Sequence, residues 1–259
     1  HIEGGDLSGT IDESVRHAIT KMAHIHFTTN EEAKARVLKM GESPDSVFNF
    51  GSPDIEVVLG TPEDNSLDLS TTGSGLSKID LDKDYLSVMF HPVTSEVDQL
   101  ADQTKVLLDA VVESGIPTFW FWPNADTGAE KISSVLRTFN DKVKDHNIKF
   151  TRYLPPRSFI HLIRNTNCFI GNSSAGIKEC SVLGIPVVNV GNRQANRLKT
   201  HNVVEVDFEK DSIVDLIKSQ LKQGLYEPDH TYKLDDTAKN MAHTLATTPL
   251  QNQKKFYEV

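Results

Sequence analysis

The run Gly171-Asn172-Ser173-Ser174-Ala175-Gly176 holds the residue types of an anion cradle. Small residues let the backbone approach a ligand, unpaired N–H groups at a helix start favour negative charge, and two hydroxyls add donors. The run matches neither the Walker nor the dinucleotide fingerprint. A plain strand-to-helix turn with a serine N-cap reads equally well. Glu179 lies further into the helical stretch, where a carboxylate can take ribose hydroxyls or simply face water. His91, followed by Pro92, ends an apolar run and can donate to a phosphate or shuttle a proton. Near the start, Glu3 precedes Gly4-Gly5, and Asp12 and Arg16 lie one helical turn apart. Two carboxylates there can do acid/base work at one carbon, and Asp12 with Arg16 can equally be a surface ion pair. Pro123-Asn124 and Asn192-Arg193-Gln194 follow two further apolar runs, and an arginine so placed can neutralise a diphosphate.

These positions matter because of the elements around them. Short apolar runs at 85–90, 118–122, 148–153, 168–170 and 185–190 alternate with helical stretches near 95–113, 130–145, 157–165 and 176–183. That order predicts a parallel, doubly wound α/β sheet, whose ligands sit at the carboxyl ends of its strands. Upstream, the spacing predicts a helix over 13–25 beginning at Ile11, with Thr10 and Glu13 as a capping box and Val15, Ala18, Ile19, Met22 and Ala23 on one apolar face. A strand at 25–28, a helix from Asn30 to near Gly41 and a strand at 47–50 follow. Residues 60–80, rich in Ser, Thr, Gly and Asp, read as a linker or long surface loop. Beyond 210 the chain reads as helical to about 245, with a polar tail.

The 259 residues suffice for one large or two smaller α/β domains, and 38% apolar with 24% charged residues is ordinary for a globular protein. The formal net charge of −9 argues against a surface that tracks nucleic acid or anionic lipid. No run approaches the roughly 18 apolar residues of a membrane span. Cys168 and Cys180, both in apolar segments, suit a reducing compartment and give no disulfide framework. A cytoplasmic location is the expectation. A chain that opens His1-Ile2-Glu3 without a methionine also leads us to expect residues upstream.

The run HIEGGDLSGTIDESVRHAITKMAHIH at 1–26 resembles the signature of hydrolysing UDP-N-acetylglucosamine 2-epimerases. FHPVTSE at 90–96, FWPNADTG at 121–128, GNSSAGIKE at 171–179 and GIPVVNVGNRQANR at 184–197 match the family in order and spacing. The resemblance implies two Rossmann-like domains of glycosyltransferase-B type with the substrate between them, the first incomplete in this chain. The expected division is 1–80 for the end of the first domain plus linker, 81–245 for the UDP-binding domain and 246–259 for a tail. It implies that Ser173, Ser174 and Glu179 bind UDP with Asn124 and Arg193 nearby, that Glu3 and Asp12 are catalytic carboxylates, that His91 lies by the diphosphate, and that Arg16 stands beside them. It implies elimination of UDP to a 2-acetamidoglucal followed by hydration to N-acetylmannosamine, with no metal or redox cofactor, in a homo-oligomer. UDP-N,N′-diacetylbacillosamine as substrate, a non-hydrolysing epimerase, and an inactive UDP-binding fragment are the alternatives. The family's first domain also supplies a glycine-rich loop and a further acidic–basic pair, so this chain alone is expected to lack part of the machinery.

Overall fold

The computed structural model describes residues 1–63, 73–76, 79–143, 146–249 and 253–258. About half of the linker expected at 60–80 therefore falls outside the described residues.

The first unit is small. Strands β1 (His26–Thr28) and β2 (Val47–Asn49) pair in parallel, and Ile2 bridges to Phe27 on the other side of β1. Helices α1 (Asp12–Met22), α2 (Glu31–Lys39) and α3 (Pro53–Gly60) surround them. Asn30 caps α2 by accepting from the Ala33 N–H, as its position predicts. One expectation for α1 fails. Its N-cap, Ile11, has no side-chain cap, because Glu13 takes the Ser8 N–H at 2.8 Å instead of closing a box with Thr10. Its apolar stripe stays out of the core: Val15, Ile19 and Met22 are 53%, 40% and 70% exposed, and Thr20 is the residue that α1 buries. Periodicity locates an apolar face but does not say what covers it.

The second unit is a seven-stranded sheet. In chain order its strands are β3 (Ser74–Gly75), β4 (Leu86–Met89), β5 (Thr118–Phe121), β6 (Ile148–Thr151), β7 (Cys168–Gly171), β8 (Val187–Val190) and β9 (Val203–Val206). The spatial order is β3-β6-β5-β4-β7-β8-β9, parallel throughout except for the short edge strand β3. From β4 the chain winds outward through β5 and β6, then returns to lay β7, β8 and β9 on the other side. The order reverses between β4 and β7, which leaves a crevice at their carboxyl ends. β3, β9 and α3 were not anticipated from sequence.

Both faces of this sheet are covered, which is why its strands read as unbroken apolar runs. On one face Leu86, Val88, Trp120, Phe150, Ile170 and Val188 pack under α4 (Leu100–Ser114), α5 (Ala129–Lys142) and α8 (Lys210–Gln223). On the other, Tyr85, Phe119, Phe121, Phe169 and Val187 meet α6 (Pro156–Arg164) and α7 (Glu179–Leu183). Truncating a ring such as Phe169 to alanine costs on the order of 3–5 kcal/mol. Cys168 and Cys180 are buried and free, and burial pushes the Cys168 thiol up to about 12.

The continuous helix expected beyond 210 is instead α8, an extended stretch and α9 (Thr237–Thr247). Gly224 at φ 70° ends α8, and Pro228 cannot rejoin a helical hydrogen-bond ladder. The stretch crosses α7, where Tyr226 and Asp229 donate to the carbonyls of Gly184 and Ser181, and reaches the first unit, where Ser52 donates to Tyr232 O. α9 then lays Met241 against Ile25 and Phe27. Among the described residues no helix is long and apolar enough to cross a membrane.

Candidate functional site

The crevice between β4 and β7 is occupied by His91 and Asn172. Gly171 makes their approach possible: at φ 129°, a Cβ on it would sit 2.1 Å from Met89 O. The Asn172 side chain accepts the His91 N–H and donates to His91 O, both at 2.8 Å. His91 is 3% exposed, and its Nδ1 receives the Asn124 N–H at 3.4 Å. Burial and, behind it, the Arg193 charge push His91 down to about 4. The ring is therefore neutral at physiological pH, with Nδ1 accepting and Nε2 carrying the proton, ready to donate to an anion.

Arg193, on the turn after β8, donates to Asn172 O at 3.1 Å, and Gln194 donates to the same oxygen at 3.0 Å. Burial lowers the Arg193 pKa, with Asp12 and Asp126 opposing. Ser173 accepts the Ala175 N–H and so caps the 3-10 turn Ser174–Gly176, while Ser174 stays half-exposed beside it. The regular helix begins only at Glu179. Burial raises the Glu179 pKa, with Lys178 opposing, and its Oε2 has no hydrogen-bond partner among the described residues. A buried acceptor without a donor fits a ligand hydroxyl.

The first unit contributes its amino-terminal loop. Glu3 adopts φ 63°, a left-handed conformation that costs a side chain of this kind about 1–3 kcal/mol. Ser52 Oγ donates to Glu3 Oε1 at 2.6 Å. Ser52 is the N-cap residue of α3 yet makes no side-chain cap, so its hydroxyl is committed to Glu3 at the expense of the helix. Lys178 Nζ reaches both carboxylate oxygens, at 2.7 and 2.9 Å. Burial raises the Glu3 pKa, but the charge and hydrogen bonds of Lys178, with Ser52 and Arg197, bring it below the usual carboxylate value.

Asp12 sits elsewhere in the same cleft. It is exposed and shares with Thr10, Pro92, Asp126 and Arg193 a cavity of about 310 Å3 between the two units. Arg16 does not pair with Asp12; its guanidinium donates to Asp6 O at 3.2 Å, which fixes the loop that carries Glu3. Three residues went unnoticed in the sequence. Lys178 is one. Asp6 is another: it is 4% exposed, accepts from Thr29 Oγ1, has an Oδ2 without a partner among the described residues, and is raised in pKa by burial with Arg197 opposing. The third is Gly9, whose N–H donates to Arg193 O; a Cβ on it would sit 1.9 Å from Asn192 O. Asn196 Nδ2 donates to Ser8 O alongside. The signal for Asp6 and Lys178 was present inside the quoted motifs HIEGGD and GIKE, but an acid in a loop and a lysine in a helix ordinarily read as solvated charges.

The cleft thus brings a neutral histidine donor, an arginine, two serines and a half-buried carboxylate with one unpartnered oxygen to the second sheet's switch point, and sets Asp12 beside Arg193 and Glu3 on Lys178. Residues 1–246 match the family model described as UDP-N-acetylglucosamine 2-epimerase. A Legionella pneumophila protein named UDP-N,N′-diacetylbacillosamine 2-epimerase (hydrolyzing) is 32% identical over 98% of this chain and 65% of its own length. A Neisseria meningitidis UDP-N-acetylglucosamine 2-epimerase is 35% identical over 92% of this chain and 60% of its own. The chain therefore spans about 60–65% of the length of these curated relatives. A structure of S. aureus MnaA with UDP superposes with a TM-score of 0.73 over all of this chain and 70% of its own length, at 14% identity, a likeness of fold. That fold is the glycosyltransferase-B arrangement of two Rossmann-like units.

Proposed function

The chain belongs to the UDP-N-acetylglucosamine 2-epimerase family, and on that premise we propose that it carries the nucleotide site and part of the catalytic site of a hydrolysing UDP-sugar 2-epimerase. The observation that carries this reading is the meeting of the first unit's acids with the switch-point loops: Asp12 shares a cavity with Arg193, and Glu3 is bonded to Lys178 beside Glu179. Carbon 2 of the sugar is a poor acid, so departure of UDP must lead. His91 Nε2, Arg193 and the Ser173–Ser174 turn stabilise the charge that develops on the diphosphate. Glu179 takes the ribose hydroxyls. A carboxylate of the first unit removes the carbon 2 proton as UDP leaves, giving a 2-acetamidoglucal. Water then adds at carbon 1, and a proton returns to carbon 2 on the opposite face, so the sugar emerges free and inverted at that carbon. In this reading the unit 81–245 holds the nucleotide, and the exposed apolar face of α1 supports a homo-oligomeric assembly.

The test is turnover of UDP-N-acetylglucosamine by the full-length polypeptide in deuterated water, followed by NMR. Elimination and hydration release UDP together with free N-acetylmannosamine carrying deuterium at carbon 2. Accumulation of deuterated UDP-N-acetylmannosamine without free UDP would instead make the enzyme non-hydrolysing. The name of the Legionella relative favours a second reading, the same reaction on UDP-N,N′-diacetylbacillosamine. Selective consumption of that sugar in a paired assay would establish it.

A further inference from the structure

Deepening the reading of Glu3 as a catalytic carboxylate, and resting on it, we propose that Lys178 is a positioning residue: it touches no substrate and fixes the Glu3 carboxylate from the nucleotide unit, across the seam between the two units. Lys178 lies between Ser174 and Glu179, in the segment that would cradle the nucleotide, yet its side chain turns away to residues 175 and 126 positions earlier in the chain. Its side chain is 3% exposed. It bonds both oxygens of Glu3, stands 3.4 Å from Asp54 Oδ2 and 3.5 Å from Ser52 Oγ. An ammonium has three protons. Two go to Glu3 and the third to Asp54 or Ser52, so none remains for a diphosphate. The titratable groups facing Glu3 are Lys178, Arg197, Glu179 and Tyr232, with Asp6 on its own loop, and Lys178 in turn feels Asp54 and Glu179.

Geometry makes the pair more than an ornament of the seam. Glu3 is 25% exposed, open on one side and held by Lys178 on the other. Its left-handed backbone is strained, and the chelate formed by Lys178 and Ser52 keeps the carboxylate in one place in spite of that. With the ammonium removed, Glu3 loses its strongest opposition to burial while Ser52 and Arg197 remain, so its pKa rises and the base becomes protonated at higher pH. Lys178 also belongs to the turn that would grip UDP, so a bound nucleotide and the base share one rigid segment.

The experiment compares Lys178→Gln and Lys178→Arg with the parent in the full-length polypeptide. UDP affinity by calorimetry, the pH profile of kcat/KM, and the carboxyl-carbon NMR titration of Glu3 are measured. The expected result for Lys178→Gln is UDP affinity within about threefold of the parent, kcat down by about a hundredfold, the acid limb moved to higher pH, and the Glu3 carboxyl titrating higher by the same amount. Lys178→Arg, which keeps the charge, should restore the limb and most of kcat, and its fold is checked by thermal melting. An acid limb and a Glu3 titration that stay in place in Lys178→Gln overturn the proposal, and a large loss of UDP affinity makes Lys178 a phosphate ligand and overturns it equally. Failure of the underlying reading shows separately, as absence of turnover in the parent. The NMR titration then still decides whether Lys178 sets the state of Glu3.

Discussion

The side chain of Asn172 and the backbone of His91 form a reciprocal pair, donor to acceptor and acceptor to donor, both at 2.8 Å. This pair bolts the loop after β4 to the loop after β7 at the point where the strand order of the sheet reverses. Asn172→Ala leaves two buried backbone groups unpaired. We expect a loss of about 2 kcal/mol in urea unfolding, since each such group costs about 1–3 kcal/mol less whatever water recovers, together with weaker UDP binding. Unchanged stability would mean that the loops hold their places without the pair.

His91 has its ordinary titration moved down to about 4, by burial first and Arg193 second. Below that value the ring would charge, and above it the ring stays neutral. The kcat/KM profile should therefore show no inflection near 6.5 that disappears on mutation of His91. His91→Gln, which keeps an N–H donor, should retain at least tenfold more activity than His91→Ala, on the general scale of about 10²–10³ for one lost donor to a developing anion. Equal activities in the two variants would remove the donor role.

Ser174→Ala should weaken UDP binding about tenfold by calorimetry, the scale of a hydrogen bond to a charged group at about 1.5 kcal/mol. The same substitution should leave thermal stability alone, because Ser173 rather than Ser174 caps the turn. Undiminished affinity would assign the anion site to the backbone and His91.

Asp12 is exposed and shares its cavity with Arg193, away from the Lys178 clamp on Glu3. Asp12→Asn should lower kcat by roughly 10²–10⁴, the span of general acid/base catalysis, with nucleotide affinity almost unchanged. Near-normal turnover would reduce Asp12 to a charge near the start of α1.

His26 is fully buried on β1 and donates from Nε2 to Glu42, while its Nδ1 has no partner among the described residues. Burial outweighs the attraction of Glu42, and the pKa falls from 6.5 to about 4. The unfolded chain thus binds a proton that the folded one refuses. Stability should be full above about pH 6.5 and decline as pH falls towards 4, by on the order of 3 kcal/mol for this group. Urea midpoints across that range test it. A flat response would mean that the His26–Glu42 contact holds a charged imidazolium in the fold.

Much of the second unit was legible because its strands are buried on both sides and therefore read as continuous apolar runs flanked by polar turns. His91, Asn124 and Ser173 stand at strand ends, where the sheet's handedness places ligands regardless of detail. What escaped depended on contacts distant in sequence. Lys178 has no local signature, since its partner lies 175 residues away. α3 is eight residues long and apolar without clear periodicity, so it gave no helical signal. α1 shows the converse case, a correctly read apolar face that stays exposed among the described residues.

Arg164 on α6 donates to Val58 O and Thr61 O at the end of α3, where it also offsets the helix dipole. The return stretch is fastened to α7 through Tyr226 and Asp229. Lys178 on Glu3, the Gly9 N–H on Arg193 O and Asn196 on Ser8 O add further stitches between the same two units. A seam fastened at several separate places resists sliding as well as parting, so the loop bearing Glu3 and the nucleotide turn keep one register.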